Sequence, residues 1–120
     1  MHIEQLRDYI LSLPEVEETT PFGPDVLVYK TKTKMFLLLP LDTDTLRFNV
    51  KCDPDRAIQL REQYPETVLP GYHMSKVHWN TILVDGVFSA QQLMEQILHS
   101  YQLIREPKKK LADMPSTYTN

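Results

Sequence analysis

The fold class that this sequence predicts is α+β: one antiparallel sheet with helices packed on one face, a two-layer sandwich. Three features lead there. Apolar residues at helical spacing open and close the patterned part of the chain. Between them, β-rich runs are joined by links as short as Thr31-Lys32-Thr33, whereas parallel pairing needs a crossover of about a dozen residues. Leu46, Phe48 and Val50 alternate with Arg47, Asn49 and Lys51, the period of a strand with one buried and one wet face.

Taken in order, Ile3, Leu6, Ile10 and Leu13 give an amphipathic helix over residues 2–13, which Pro14 stops. Residues 16–20 form a short strand before the Pro21-Phe22-Gly23-Pro24 turn. Val26 to Lys30 and Met35 to Leu39 then make a hairpin. After the alternating strand, Asp53-Pro54 supplies an N-cap and a first-turn proline. The helix that follows, residues 54–64, turns Ala57, Ile58, Leu60 and Tyr64 inward and ends at Pro65. A further strand over about residues 77–84 ends at the Asp85-Gly86 turn. It directs Val77, Trp79 and Thr81 to one side, and His78 and Asn80 to the other. Ser89-Ala90-Gln91-Gln92 matches a capping box, and Leu93, Ile97, Tyr101 and Ile104 stripe the closing helix. Residues 1–105 therefore read as a single domain, and residues 106–120, with Pro107, Lys108-Lys109-Lys110 and Pro115, as a flexible tail.

A chain of 120 residues holds one core. Its formal net charge of −3 is no sign of a polyanion ligand, so any such site is local. The charge is segregated. Glu4, Asp8, Glu15, Glu17, Glu18 and Asp25 stand against Arg7 alone in residues 1–25. Lys30, Lys32, Lys34, Arg47 and Lys51 outweigh Asp42 and Asp44 in residues 26–52. Cys52 is the only cysteine, which excludes an internal disulfide and a thiolate metal cluster. No apolar run approaches the roughly 20 residues of a membrane helix, and the amino terminus has no secretory pattern. The expectation is a cytoplasmic monomer that needs no cofactor and no membrane.

The segment from Pro70 to Thr81 concentrates the chemistry. It holds His73, Lys76, His78, Trp79 and Asn80 and no acidic residue. Lysines and backbone amides hold phosphates, an asparagine reads a base edge, and Tyr72 or Trp79 can stack or line a pocket rim. A lone tryptophan also serves as core, and lysines at turns and edges also keep sheets soluble. His73 and His78 have no zinc-ligand spacing, and Glu4 and Asp8 share one face of the first helix. No nucleophile signature surrounds Cys52, and Gly23, Gly71 and Gly86 are too scattered for a phosphate loop, so no catalytic residue is assigned.

Several blocks together resemble the MmcQ/YjbR family: Pro21-Phe22-Gly23-Pro24-Asp25-Val26-Leu27-Val28-Tyr29-Lys30, Lys34-Met35-Phe36, Lys51-Cys52-Asp53-Pro54, the segment from Pro70 through Thr81, and Ser100-Tyr101. The likeness spans roughly residues 1–105. It implies a sandwich like that of CyaY and frataxin, and DNA binding through a double wing of hairpins. The resulting expectation is a small non-enzymatic DNA-binding module. Lys30, Lys32, Lys34, Arg47, Lys51, His73, Lys76, His78 and Asn80 would contact the nucleic acid. The alternatives are a protein or small-ligand site with Tyr72 and Trp79 at its rim, and, as the frataxin likeness implies, iron or other metal binding by the acidic first helix and its surroundings, through Glu4, Asp8, Glu15, Glu17 and Glu18.

Overall fold

The computed structural model describes residues 1–106. Its elements are helix α1 (Ile3–Ser12), strands β1 (Glu17–Thr19), β2 (Val26–Thr31), β3 (Lys34–Pro40) and β4 (Arg47–Lys51), helix α2 (Pro54–Gln63), strands β5 (Val68–Pro70) and β6 (Trp79–Leu83), and helix α3 (Ala90–Arg105). One sheet holds all six strands in the order β1-β2-β3-β4-β6-β5, with every neighbouring pair antiparallel. The α+β expectation holds. All but the first residue of the proposed tail lies outside the described residues.

Local chemistry explains where the elements start and stop. The first helix is a residue shorter at each end than its periodicity suggests, because His2 and Leu13 are its caps and not its turns. His2 Nδ1 accepts the Gln5 N–H, and Gln5 Oε1 accepts the His2 N–H at 3.0 Å. Asp53 caps α2 and Ser89 caps α3, as read from the sequence. In α2, Ala57 is buried, and Leu60 and Tyr64 pack against the core, but Ile58 is 48% exposed and not inward as expected. Ala57, Leu60 and Tyr64 are three and four residues apart and share a face; Ile58 lies roughly 100° round the helix. At the β2–β3 tip, Lys32 and Thr33 both take positive φ (50° and 65°), the two-residue turn whose twist suits a hairpin.

The helices cover one face of the sheet. Leu6 and Ile10 of α1, with Leu93, Ile97, Tyr101 and Ile104 of α3, bury Leu27, Tyr29, Leu37, Leu39, Phe48 and Ile82. A bulge lies at the Tyr29/Lys30 step, where Tyr29 pairs with Leu37 but Lys30 pairs with Met35. Phe36 is the extra residue, fully buried, with its ring edge-on to Tyr101 at 5.5 Å. Only two residue pairs join β3 to β4. Beyond them the Ser100 hydroxyl fills in, accepting from the Lys51 N–H (2.9 Å) and donating to the Phe36 carbonyl (2.5 Å). Buried backbone groups are costly when unpaired, so this side chain completes the ladder.

The other face was expected to be wet, and it is only partly so. Val28, Leu38 and Trp79 are buried there, with Val26, Met35 and Met74 packed on them. This agrees with the uninterrupted apolar runs of β2 and β3, which mark strands covered on both sides. The chain between Gly71 and His78 supplies the cover. It also shortens β6, which starts at Trp79 and not near residue 77, because the Trp79 N–H closes a turn on the Ser75 carbonyl at 2.9 Å. Among the described residues no helix is long and apolar enough to cross a membrane.

Candidate functional site

The covering loop is pinned at its start by a close approach. A Cβ on Gly71 would stand 2.6 Å from Trp79 Cβ and 2.9 Å from the Trp79 carbonyl oxygen, so only glycine fits against β6. The Gly71 N–H donates to that carbonyl at 2.9 Å. Next, the Tyr72 N–H donates to Thr81 Oγ1 (3.0 Å), Thr81 donates to Asn49 Oδ1 (2.7 Å), and Asn49 Nδ2 donates to the Tyr72 carbonyl (3.4 Å). This closed ring joins the loop to β6 and β4 and gives Asn49, which is 5% exposed, one donated and one accepted bond. His73 takes φ 58°, reversing the chain so that Met74 reaches the Val28–Leu38–Trp79 cluster. At the far end, Lys76 Nζ donates to the Gly71 carbonyl, and Arg61 Nη1 of α2 holds the Lys76 carbonyl at 3.0 Å.

The loop leaves part of the sheet face open, and a cavity of about 400 Å³ remains. Val26, Leu38 and Pro40 form its apolar floor, with Phe22 and Met74 beside them. Arg47, Asn49, Tyr72 and His73 bring polar groups to one side, and Asp42 and Thr43 complete the border. The Arg47 guanidinium lies over the Tyr72 ring, 5.4 Å from its centre, and the His73 ring lies tilted by 48° against it, 4.0 Å between centres. An apolar hollow with a few convergent polar groups is the usual form of a small-molecule site. Another hollow, also about 400 Å³, between Asp53, Arg56, His99, Gln102 and Glu106 is bordered mainly by polar side chains.

The residues singled out in the sequence divide between the two layers. Arg47 and Lys51 lie with Asn49 on the open face, and Lys51 Nζ sits 5.9 Å from the Trp79 ring centre. Lys30 shares that face by register, opposite Met35 and Glu17. Lys32 turns away, its Nζ reaching the Arg105 carbonyl at the end of α3 (3.4 Å). Lys34 is exposed at the tip, opposite Thr31, whose hydroxyl accepts from Arg105 on the helical side. The hairpin lysines therefore do not act as one cluster. Lys76 and His73 are exposed on the loop, whereas exposed His78 borders a separate hollow with Cys52, Pro54 and Leu103.

Two expectations need correction. Asn80 is 1% exposed and faces the helices, its Nδ2 donating to the Ala57 carbonyl, because alternation from Trp79 turns it inward; it is not presented to a nucleic acid. Trp79 is 5% exposed, buried with Val28 and Leu38, and it is not among the residues that line the cavity, so it does not form its rim. Tyr72, 57% exposed, does stand at the rim. The lining residues missed in the sequence are Phe22, Val26, Leu38, Pro40, Asp42, Thr43, Asn49 and Met74.

The acidic set near α1 is dispersed. Glu18 accepts from Arg7 through both oxygens (3.1 and 2.9 Å) and from the Tyr29 hydroxyl (2.6 Å). The Arg7 bonds hold its carboxyl below the usual carboxylate range. Glu15 pairs with Arg105 at 3.1 Å. Among the described residues no three histidine, cysteine, aspartate or glutamate side chains converge to hold a metal ion. Burial pushes the Cys52 thiol up to about 11, so it is a poor nucleophile.

Comparison with known proteins gives a consistent picture. The chain is 34% identical over 101 residues to the uncharacterized protein YbdF of Escherichia coli O157:H7, covering 84% of this chain and 82% of that one. It is 28% identical over 115 residues to the uncharacterized protein YjbR of Escherichia coli K12, covering 92% and 97%. Among solved structures, Deinococcus radiodurans DR2400, with its DUF419 domain, superposes with a TM-score of 0.82 at 36% identity, covering 92% and 83%. A Pseudomonas syringae protein superposes at 0.74 with 26% identity, covering 86% and 98%. The YjbR family profile itself matches residues 11–103, nearly the whole sandwich, and the chain belongs to that family.

Proposed function

We propose that this protein is a non-enzymatic, monomeric binding module that takes a small ligand in the cavity on the open face of its sheet. The observation that carries this reading is the cavity itself: an apolar floor of Val26, Leu38 and Pro40, met from one side by Arg47, Asn49 and Tyr72. Its volume of about 400 Å³ lies within the range of small-molecule sites. The edge strands β1 and β5 are three residues each, and β5 ends in Pro70, which offers little for strand addition between copies. A Met74→Trp variant, which fills the cavity from the loop, tests the reading with the neutral dye N-phenylnaphthylamine. Dye fluorescence should rise with the wild-type protein and fail to rise with the variant. Equal enhancement by both would end the reading.

DNA binding is the second reading, and one arrangement favours it. Lys30, Arg47 and Lys51 share the open face, while the acidic α1 packs on the opposite side of the sheet. Three phosphate contacts would give a log–log salt slope of about −2.7. Fluorescence anisotropy with duplex DNA at low salt, repeated with Lys51→Ala, is the test. Binding that is absent, or indifferent to salt, would end this reading.

A further inference from the structure

We infer that the ligand of the open-face cavity is a small amphiphile bearing one carboxylate, its acid held by Arg47 and Asn49 and its apolar body laid on Leu38 and Val26. This rests on the ligand-binding reading above and names the chemistry of its ligand. Arg47 and Asn49 are two apart on β4, so both side chains leave the same face at the same cavity. Arg47 forms no ion pair among the described residues; its guanidinium lies over the Tyr72 ring. The N–H groups along the edge of a guanidinium form the fork that carboxylates accept. Asn49 is buried, and its bonds to Tyr72 and Thr81 use one amide hydrogen and one oxygen lone pair, leaving a second hydrogen to donate.

The rest of the border limits the charge. Asp42 also lines the cavity, exposed and not bonded to Arg47. One arginine beside one aspartate suits a singly charged head better than a dianionic phosphate. The apolar floor excludes a ligand that is polar throughout, since nothing there repays its desolvation.

The matched probes are phenylbutyrate and its uncharged analogue phenylbutyramide, titrated by amide chemical shift into the wild-type protein and into Arg47→Gln and Asp42→Asn. Both probes should shift the amides of Leu38, Asn49 and Met74, with the acid binding about tenfold more tightly, the size of one charge-assisted hydrogen bond. Arg47→Gln should remove that preference, weakening the acid about tenfold more than the amide. Asp42→Asn should raise the acid's affinity about twofold, by relief of a screened repulsion. An equal affinity for the two probes, or a preference that survives Arg47→Gln, overturns the inference while the cavity remains a site. Absence of shifts on the open face with either probe overturns the ligand-binding reading itself.

Discussion

Replacing Gly71 with alanine tests the joint that makes the cavity. The added methyl would meet Trp79 Cβ at 2.6 Å, the Trp79 carbonyl oxygen at 2.9 Å and its carbon at 3.1 Å. Two of these atoms are backbone within the β6 ladder, so no rotamer change relieves the overlap, and the loop must lift. Overpacking of this kind costs about 1–3 kcal/mol. Loss of the Gly71 N–H bond to Trp79 and the Tyr72 N–H bond to Thr81 costs about 1 kcal/mol each. Lifting the loop relieves part of the overlap, so the terms do not add fully, and the expected loss is about 2–4 kcal/mol. Urea unfolding reports it directly, because Trp79 is the only tryptophan and is buried at this joint. The midpoint should fall by about 1–2 M, with native emission shifted to the red as Trp79 loses its cover. Dye binding in the cavity should weaken in the same variant. Gly86→Ala is the control, since it makes a similar overlap with Thr67, away from the cavity; it should lower stability without changing dye affinity. Wild-type stability and unaltered dye binding in Gly71→Ala would refute the account of the loop.

Two further outcomes follow from buried groups. Ser100→Ala leaves the Lys51 N–H and the Phe36 carbonyl unpaired inside the sandwich, for an expected loss of about 2–4 kcal/mol and faster hydrogen exchange at the Lys51 amide. Burial holds the His99 imidazole below its ordinary 6.5, and its Nε2 accepts the Asp53 N–H at 3.2 Å. The unfolded chain therefore binds a proton at His99 before the folded one does, and stability should decline as pH falls below about 6.5. Urea midpoints across that range should decline less steeply for His99→Gln.

The fold was legible where one period dominated, and the site was not. Leu93, Ile97, Tyr101 and Ile104 repeat with the helix, and all four are buried. Phe48 and Val50 alternate with Arg47, Asn49 and Lys51, and the sheet separates them as that alternation requires. The three-residue β5 carries too few positions to show a period, and it is held by pairing with β6. Asn80 was misread because polarity suggested solvent, whereas its place beside Trp79 in a strand decided its direction. The cavity had no linear signature. Phe22, Leu38, Arg47 and Met74 come from four separate stretches, and they meet only because Gly71 lets the loop fold back.

The segregation of charge and the placement of the cavity share a cause. Packing all three helices against one face commits α1, with Glu4 and Asp8, to that layer, and Glu18 and Glu15 are tied to Arg7 and Arg105. The runs Val26-Leu27-Val28-Tyr29 and Phe36-Leu37-Leu38-Leu39 are apolar on both sides, so the opposite face must also be shielded from water. Among the described residues no helix is left for the task. A loop hung from Gly71 covers Val28 and Trp79 with Met74, and it stops short of Val26, Pro40 and the inner edge of Leu38. The uncovered remainder is an apolar floor beside Arg47, on the side of the sheet away from α1. A fourth helix, or a longer loop, would have sealed that floor. The short loop instead keeps, within reach of solvent, an apolar surface beside an arginine that has no carboxylate partner among the described residues, and that pairing is what a small acidic ligand would recognise.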